Sequence, residues 1–192
     1  MSDAGRVIAG SARGVRLRAP GPGTRPLADR VKQTLFAILE PDLPGARVLD
    51  LFAGSGAAGI EALSRGAASA VFVEKDAGAA AVIEANLRAT SLAGPAGEVV
   101  RADAVTWLGR PSPPGAPFDL VIVDPPYADT DLLVRTLEAL GASGAALSPG
   151  ARVVAKHFWR NRPPDRIGLL ASERDRRFGE TALTFYRREE DR

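Results

Sequence analysis

Short apolar runs alternate with helical patterns along the 192 residues of this chain. Four runs have the length and composition of buried parallel strands, and they cover residues 48–52, 70–74, 98–101 and 119–124. Apolar residues at helical spacing predict helices before and between these strands, at residues 27–39, 57–65, 76–90, 104–108 and 131–140. Because strands and helices alternate, we predict an α/β fold whose open sheet is mostly parallel.

The two ends of the chain have different patterns. Residues 6–18 hold two short β-like runs about a Gly/Ser centre, which predicts a β-hairpin, and the Pro- and Gly-rich residues 19–26 form a linker. We therefore divide the chain into residues 1–23, a hairpin and linker that sit apart from the sheet, and residues 24–192, the main domain. Near the C-terminus we expect strands at residues 152–156, 167–171 and 182–186, with a charged turn before the last of them.

Composition excludes several classes of function. The chain has no cysteine, so disulfides, cysteine-based metal sites and a cysteine nucleophile are excluded, and we predict no metal site. No apolar run approaches membrane-spanning length and the N-terminus has no signal-peptide pattern, so we expect a cytoplasmic protein without a membrane partner.

Charge is unevenly distributed although the net charge is only +2. Residues 1–40 hold seven basic and three acidic side chains, residues 41–150 hold seven and thirteen, and residues 151–192 hold eleven and seven. An acidic middle between basic ends suggests that the ends contact a polyanion. A solvated, arginine-rich surface is the alternative explanation.

A glycine-rich stretch follows the first predicted sheet strand. Gly54, Gly56 and Gly59 have the G-x-G-x-x-G spacing of a dinucleotide-binding turn, and Glu74 follows at the distance of a ribose-binding acid. Asp50 argues against NAD, because two like charges at about 4 Å repel by about 4 kcal/mol at an effective dielectric of about 20. A ligand with an ammonium group at that place, such as S-adenosylmethionine (SAM), would be attracted instead. A nicotinamide dehydrogenase remains the alternative.

Acidic side chains stand at or near the C-terminal ends of four successive predicted strands: Asp50, Glu74, Asp103 and Asp124. In open α/β sheets, ligands bind beyond the carboxyl ends of the strands, where the strand order reverses. We therefore expect these four residues to surround one ligand site.

Asp124-Pro125-Pro126-Tyr127 is a second group of residues that predicts chemistry. Two prolines keep the chain extended and prevent it from re-entering the sheet. The carboxylate of Asp124 and the carbonyl of Pro125 can accept the two hydrogens of an exocyclic amine and so direct its lone pair toward a methyl group. The ring of Tyr127 can stack on the base that carries the amine.

Together these motifs resemble a SAM-dependent methyltransferase of a nucleic-acid base. The chain is similar to the RsmD family of 16S ribosomal RNA guanine methyltransferases in the stretches 6–10, 13–14, 24–36, 62–67 and 178–186. The resemblance covers nearly the whole chain. It departs from the family at Leu27-Ala28, at Gln33, and at residues 156–160, where an acidic strand end is usual. We expect that last departure to change C-terminal contacts and not the chemistry.

The resemblance implies a Rossmann-like SAM-dependent methyltransferase sheet with a small N-terminal hairpin extension, and methylation of a guanine 2-amino group in small-subunit ribosomal RNA. The cofactor would contact Asp50, Ala53, Gly54, Ser55, Gly56, Glu74, Asp103 and Ala104. The guanine would contact Asp124, Pro125 and Tyr127. The hairpin and linker would contact RNA through Arg6, Arg13, Arg16, Arg18 and Arg25.

Several expectations complete this interpretation. The partner would be ribosomal RNA within an assembling small subunit, and the protein would be a monomer. The alternatives are an adenine or cytosine amino-methyltransferase acting on DNA or another RNA, and a non-catalytic RNA-binding module. We assign no role to His157, and we expect Trp107 and Trp159 to lie in the core.

Overall fold

The computed structural model describes residues 3–21, 29–111, 113–127, 129–144 and 146–190. The strands in these residues are β1 (Asp3–Arg6), β2 (Arg16–Arg18), β3 (Arg47–Leu51), β4 (Ser69–Glu74), β5 (Gly97–Arg101), β6 (Phe118–Val123), β7 (Leu147–Phe158), β8 (Arg166–Ile167), β9 (Leu170–Phe178) and β10 (Thr181–Arg188). The helices are α1 (Asp29–Leu39), α2 (Ala57–Ser64), α3 (Ala77–Ala89), α4 (Ala104–Leu108) and α5 (Thr130–Gly141), with a 3-10 turn at Glu40–Asp42.

Eight strands form one sheet in the order β5-β4-β3-β6-β7-β10-β9-β8, and β1 pairs with β2 in a separate hairpin. Strands β3 to β7 are parallel to one another, whereas β10 is antiparallel to both β7 and β9. This arrangement confirms the predicted mostly parallel α/β sheet. The chain leaves β3 toward β4 and β5 on one side and later continues with β6 and β7 on the other, so the strand order reverses between β3 and β6.

Both faces of the sheet are covered, as the apolar strand sequences require. One hydrophobic cluster joins the sheet to α1, α2 and α3, for example through Phe36, Ile60 and Ile83. The other joins it to α4 and α5 and includes Trp107 and Leu137. Trp107 is fully buried, which confirms its predicted core position. No helix of the described residues is long and apolar enough to span a membrane.

The charged stretch before the last strand is not the turn that we predicted. Residues 173–177 lie in the middle of β9, which pairs with β10 along its length but with β8 over only two residue pairs. All five side chains are exposed. Because this part of the strand lies near the sheet edge and buries neither face, it lacks the alternation of apolar and polar residues by which a strand is identified.

The predicted N-terminal hairpin forms, but the prediction that it sits apart from the sheet is wrong. Its side chains Ala4, Val7, Ala12 and Leu17 are buried in the same hydrophobic cluster as α1 and α2. At Gly10 the hairpin lies so close to α2 that an added Cβ would stand 1.7 Å from a backbone oxygen of that helix. The division of the chain at residue 23, within the undescribed residues 22–28, stays a prediction.

Polar contacts hold the hairpin in place as well. The carboxylate of Glu61, on α2, accepts hydrogen bonds from the backbone N–H groups of Ile8 (2.8 Å) and Ala9 (3.0 Å). The side chain of Asn86, on α3, accepts from the N–H of Arg18 and donates to its carbonyl, at 2.9 Å each. The buried Lys32, on α1, donates to the carbonyl of Arg6 at 2.5 Å. The hairpin is therefore packed against three helices.

Candidate active site

A tight turn after β3 gives the site its backbone. Phe52, Gly54 and Gly56 have positive φ angles of 60°, 55° and 75°, which reverse the chain between β3 and α2. A positive φ is unusual for phenylalanine, whereas glycine adopts it without steric cost. Gly59 serves a different purpose, because an added Cβ there would lie 2.3 Å from the ring of Phe72. The third glycine of the motif thus permits α2 to pack closely on the sheet.

Asp50 is buried at the carboxyl end of β3, with 2% of its surface exposed. Its Oδ2 atom accepts a hydrogen bond from the N–H of Gly59 at 2.8 Å, and no cationic side chain of the described residues forms an ion pair with it. Burial, together with the nearby Asp124 and Glu74 carboxylates, raises the pKa of Asp50 to about 8. A buried carboxylate without a counter-charge favours a cationic ligand group.

Glu74 closes the other side of the turn. Its Oε2 accepts from the N–H of Gly54 and its Oε1 from the N–H of Asp76, both at 2.9 Å. An ionised carboxylate has about four acceptor sites, so about two remain for a ligand. Asp76 in turn caps α3, the predicted helix 76–90, by accepting from the N–H of Ala79.

Asp124 follows β6 directly and is paired with a lysine. Lys156, on β7, donates to both carboxylate oxygens of Asp124, at 2.6 and 2.8 Å. Burial raises the pKa of Asp124, and Lys156 opposes this shift. The Lys156 ammonium also lies 5.0 Å from the centre of the Tyr127 ring, and the hydroxyl of Tyr127 is hydrogen-bonded to Thr181 at 2.8 Å.

One cavity of about 660 Å³ joins these groups at the carboxyl edge of the sheet, where the strand order reverses. Its lining includes Asp50, Glu74, Asp124, Tyr127 and Lys156. The hairpin and α1 close one side through Ala4, Val31 and Leu35. The site therefore combines backbone N–H groups, three carboxylates and an aromatic ring in a pocket of the size that takes a small ligand.

Most of the predicted site residues line this cavity: Asp50, Ala53, Gly54, Ser55, Glu74, Ala104, Asp124, Pro125 and Tyr127. Two of them do not belong to its lining. Gly56 lies at the start of α2 and turns the chain. Asp103 caps α4 by accepting from the backbone and hydroxyl of Thr106, while its neighbours Ala102 and Ala104 line the cavity. The described residues contain no cluster that could hold a metal ion.

Four of the predicted RNA-binding arginines lie in the described residues, and these four are outside the cavity lining. Arg6 and Arg16 form exposed ion pairs with Asp29 (3.8 Å) and Asp3 (2.7 Å), and Arg13 and Arg18 are exposed. Arg25 lies outside the described residues. RNA contact by these arginines stays a prediction.

Sequence reasoning missed Lys156 as a site residue and assigned residues 156–160 to peripheral contacts only. That assignment was wrong for Lys156, because β7 lies beside β6 with Val123 opposite Ala155. The residues that follow Val123 and Ala155 are Asp124 and Lys156, which therefore lie side by side. The sequence did contain one signal for this site residue, a lysine directly after the apolar run 153–155. Thr181 offered no local signal, because its contact with Tyr127 spans 54 positions in the chain.

Comparison with known proteins supports the fold and identifies a family. The family described as Conserved hypothetical protein 95 matches residues 5–187. The Escherichia coli protein named Ribosomal RNA small subunit methyltransferase D is 39% identical over 185 residues, which cover 96% of this chain and 90% of that protein.

Solved structures are similar over the same extent. The Escherichia coli protein yhhF has a TM-score of 0.83 and 35% identity, covering 96% of this chain and 97% of its own. Haemophilus influenzae HI0767 has a TM-score of 0.80 and 28% identity, covering 98% and 100%. A Streptococcus mutans protein assigned to the SAM-dependent methyltransferases shares the fold alone, with a TM-score of 0.64 and 16% identity, over 81% of this chain and 48% of its own. The predicted methyltransferase-type sheet is confirmed, and the chain belongs to the RsmD family, whose matching description is Conserved hypothetical protein 95.

Proposed function

We propose that this protein transfers a methyl group from SAM to the exocyclic 2-amino group of a guanine in 16S ribosomal RNA. The observation that carries the proposal is the position of Asp124, Pro125 and Tyr127 on the wall of the same cavity as Asp50 and Glu74. A motif suited to holding a planar base and a set of groups suited to holding SAM thus face one space. The Escherichia coli relative is named for action on small-subunit ribosomal RNA.

The donor set of the cavity fits SAM. The buried, unpaired carboxylate of Asp50 would hold the ammonium group, and the backbone at Ala53 to Ser55 would contact the rest of the methionine end. Glu74 would accept from the ribose hydroxyls, and Ala102 and Ala104 would border the adenine. When bound, SAM supplies a methyl group on a positively charged sulfur atom, which needs only a nucleophile in line with it.

The residues of this chain would make the guanine amine that nucleophile. Asp124 and the Pro125 carbonyl accept the two amine hydrogens, and the lone pair then points away from both acceptors. Tyr127 stacks on the base, and its hydrogen bond to Thr181 keeps the ring in one orientation. As the new C–N bond forms, the sulfur–carbon bond breaks and the amine nitrogen loses one proton to solvent, so no general base is required.

The alternative function is amino-methylation of adenine or cytosine in DNA or in another RNA, since the Asp-Pro-Pro-Tyr motif suits any exocyclic amine. We also propose that the partner is an assembling small ribosomal subunit in the cytoplasm and that the protein acts as a monomer.

The test is a methyl-transfer assay with labelled SAM on small ribosomal subunits from a strain that lacks the gene, on free 16S RNA and on DNA. We expect N2-methylguanosine as the labelled nucleoside by mass spectrometry. Asp124→Ala should abolish turnover and leave SAM binding measurable by calorimetry, because it removes an interaction with the reacting amine. Asp129→Ala, at the α5 cap, is the matched control. A labelled adenine or cytosine, or an active Asp124→Ala variant, would overturn the proposal.

A further inference from the structure

Trp159 follows β7 at the carboxyl edge of the sheet and does not lie in the core, where the sequence placed it. Trp159 is partly exposed, and its backbone N–H donates to the carbonyl of Glu180 at 3.0 Å. Glu180 and its neighbour Thr181 line the cavity. Trp159 therefore stands on the rim of the proposed base site, next to the strand that anchors Tyr127.

Two arginines stack on the Trp159 ring. The guanidinium carbon of Arg177 lies 3.7 Å from the ring centre and that of Arg160 lies 4.9 Å from it. Arg177 is also held by a hydrogen bond from its Nε to the carbonyl of Gly179 at 2.9 Å. A cation over an indole face is attracted by the ring quadrupole, so the tryptophan orders both charged groups without using their N–H donors.

Neither arginine has an acidic partner among the described residues, unlike several arginines nearby. Arg162, Arg166 and Arg187 each bond to a carboxylate, whereas no carboxylate of the described chain lies within ion-pair distance of Arg160 or Arg177. Two like charges on one ring repel each other. An anion beside these guanidinium groups would offset that repulsion and accept from donors that are already in position.

We propose that the cluster formed by Trp159, Arg160 and Arg177 binds the RNA phosphates next to the target nucleotide. The inference rests on the proposed function, since it names how the substrate of that same site is held. A target base that reaches the cavity must be turned out of its stack, and its flanking backbone must then cross the rim. A guanidinium group matches a phosphodiester in charge and in its fork of N–H donors, and two such groups stand at that rim. The partner is therefore RNA backbone rather than an apolar protein surface.

The experiment compares Arg160→Gln/Arg177→Gln with Arg88→Gln, a matched control. Arg88 is an exposed arginine in the last turn of α3, toward the opposite edge of the sheet. The probe is a short fluorescent oligouridine, whose binding is measured by anisotropy between about 50 and about 200 mM salt. Methylation of gene-deleted small subunits is measured in parallel, and SAM binding by calorimetry.

Each lost contact to single-stranded RNA should change the slope of log K against log salt by about 0.7, so the double variant should be flatter by about 1.4. Its KM for subunits should rise, with SAM affinity equal to wild type. A Trp159→Leu variant should weaken RNA binding because both guanidinium groups lose their support.

The outcomes separate the two proposals. The double variant could equal Arg88→Gln in oligouridine affinity, salt slope and KM for subunits. That result would overturn RNA binding by the Trp159 cluster and leave the proposed methyltransferase function standing. The double variant could bind oligouridine more weakly and with a flatter salt dependence although the wild-type protein methylates no guanine. That result would support RNA binding by the Trp159 cluster and contradict the proposed function. If the wild-type protein binds oligouridine no better than the double variant does, RNA binding by the Trp159 cluster is also contradicted.

Discussion

At the scale of the residue, the pairing of Asp124 with Lys156 has the most direct effect on the chemistry. An ionised carboxylate only accepts hydrogen bonds, whereas a protonated one also donates, so in the proposed reaction Asp124 should be charged to accept its hydrogen from the amine. Burial favours the protonated form and raises the pKa of Asp124, while Lys156 lowers it. The lysine uses one site on each oxygen, which leaves further acceptor sites for the amine. Lys156 is thus a positioning residue that acts through Asp124.

We predict that Lys156→Met shifts the acidic limb of the pH–rate profile to higher pH, because the pKa of Asp124 rises further without its counter-charge. Lys156→Arg should keep the limb near its wild-type position. The measurement is kcat for methyl transfer at several pH values. A fall in kcat of equal size at every pH would show that Lys156 only supports the structure.

Asp50 leads to a prediction about folding stability. An unfolded aspartate titrates near a pKa of about 3.9, whereas the folded pKa of Asp50 is about 8. Between these values the folded protein keeps a proton that the unfolded chain releases, so this contribution to stability is present below about pH 4 and is lost as pH rises through about 8. Asp50→Asn keeps an oxygen acceptor for Gly59 and cannot titrate.

Urea unfolding of the ligand-free protein checks this sign. The free energy of unfolding of Asp50→Asn minus that of wild type should grow as pH rises from about 4 to about 8. Other titrating groups contribute to both proteins and largely cancel in the difference. A difference that does not change with pH would contradict the burial argument for Asp50.

At the scale of the element, α2 determines where the hairpin lies. Glu61 is fully buried on this helix and accepts from Ile8, Ala9 and the Nε of Arg65. Removing a buried acceptor leaves its donors unsatisfied, at about 1–3 kcal/mol each. The same helix presents Gly59 to the sheet and directly follows the turn that lines the cavity, so the hairpin and the proposed cofactor site share one support.

Glu61→Ala should therefore lower the free energy of unfolding by about 3–5 kcal/mol. The matched control is Glu84→Ala on α3, whose exposed pair with Arg88 at 3.8 Å should contribute less than about 1 kcal/mol. Chemical denaturation measures both variants. Equal effects of the two substitutions would mean that the contact between Glu61 and the hairpin does not stabilise the fold.

At the scale of the whole molecule, the hairpin has two parts to play. It packs into the core of the fold, and it carries basic residues of the N-terminal segment. It contributes four buried side chains to the core, and Ala4, Ala19 and Pro20 line the cavity. The hairpin arginines are exposed, so the hairpin can contact RNA through them while its buried side chains support the cavity. The protein then has basic groups on two sides of the cavity, in the hairpin and at the Trp159 cluster.

Deletion of residues 1–18 should consequently lower both the stability and the affinity for SAM, since it uncovers α1 and α2 and opens one wall of the cavity. Thermal unfolding and calorimetry with SAM measure the two effects. Charge-removing variants Arg13→Gln and Arg16→Gln should leave both quantities near wild type. A truncated protein with unchanged melting temperature and SAM affinity would show that the hairpin is an independent appendage.

Much of the fold followed from local patterns. The buried parallel strands were predictable because both of their faces are covered, which makes them continuous apolar runs. Helix α3 begins where predicted, directly after its N-cap Asp76, since an N-cap depends on a few neighbouring residues. The middle of strand β9 was not predictable in this way, because its residues 173–177 are exposed and charged and show no alternation of apolar and polar positions, although they pair with β10.

The sequence by itself determined the α/β class, the glycine turn and the order of acids at the strand ends, because each depends on residues close together in the chain. Only the tertiary structure decided which side chains meet across strands, such as Lys156 with Asp124 and Tyr127 with Thr181. It also decided that Trp159 lies on the rim and that the hairpin packs on α2. These outcomes depend on strand register and on packing between distant segments, which no local pattern encodes.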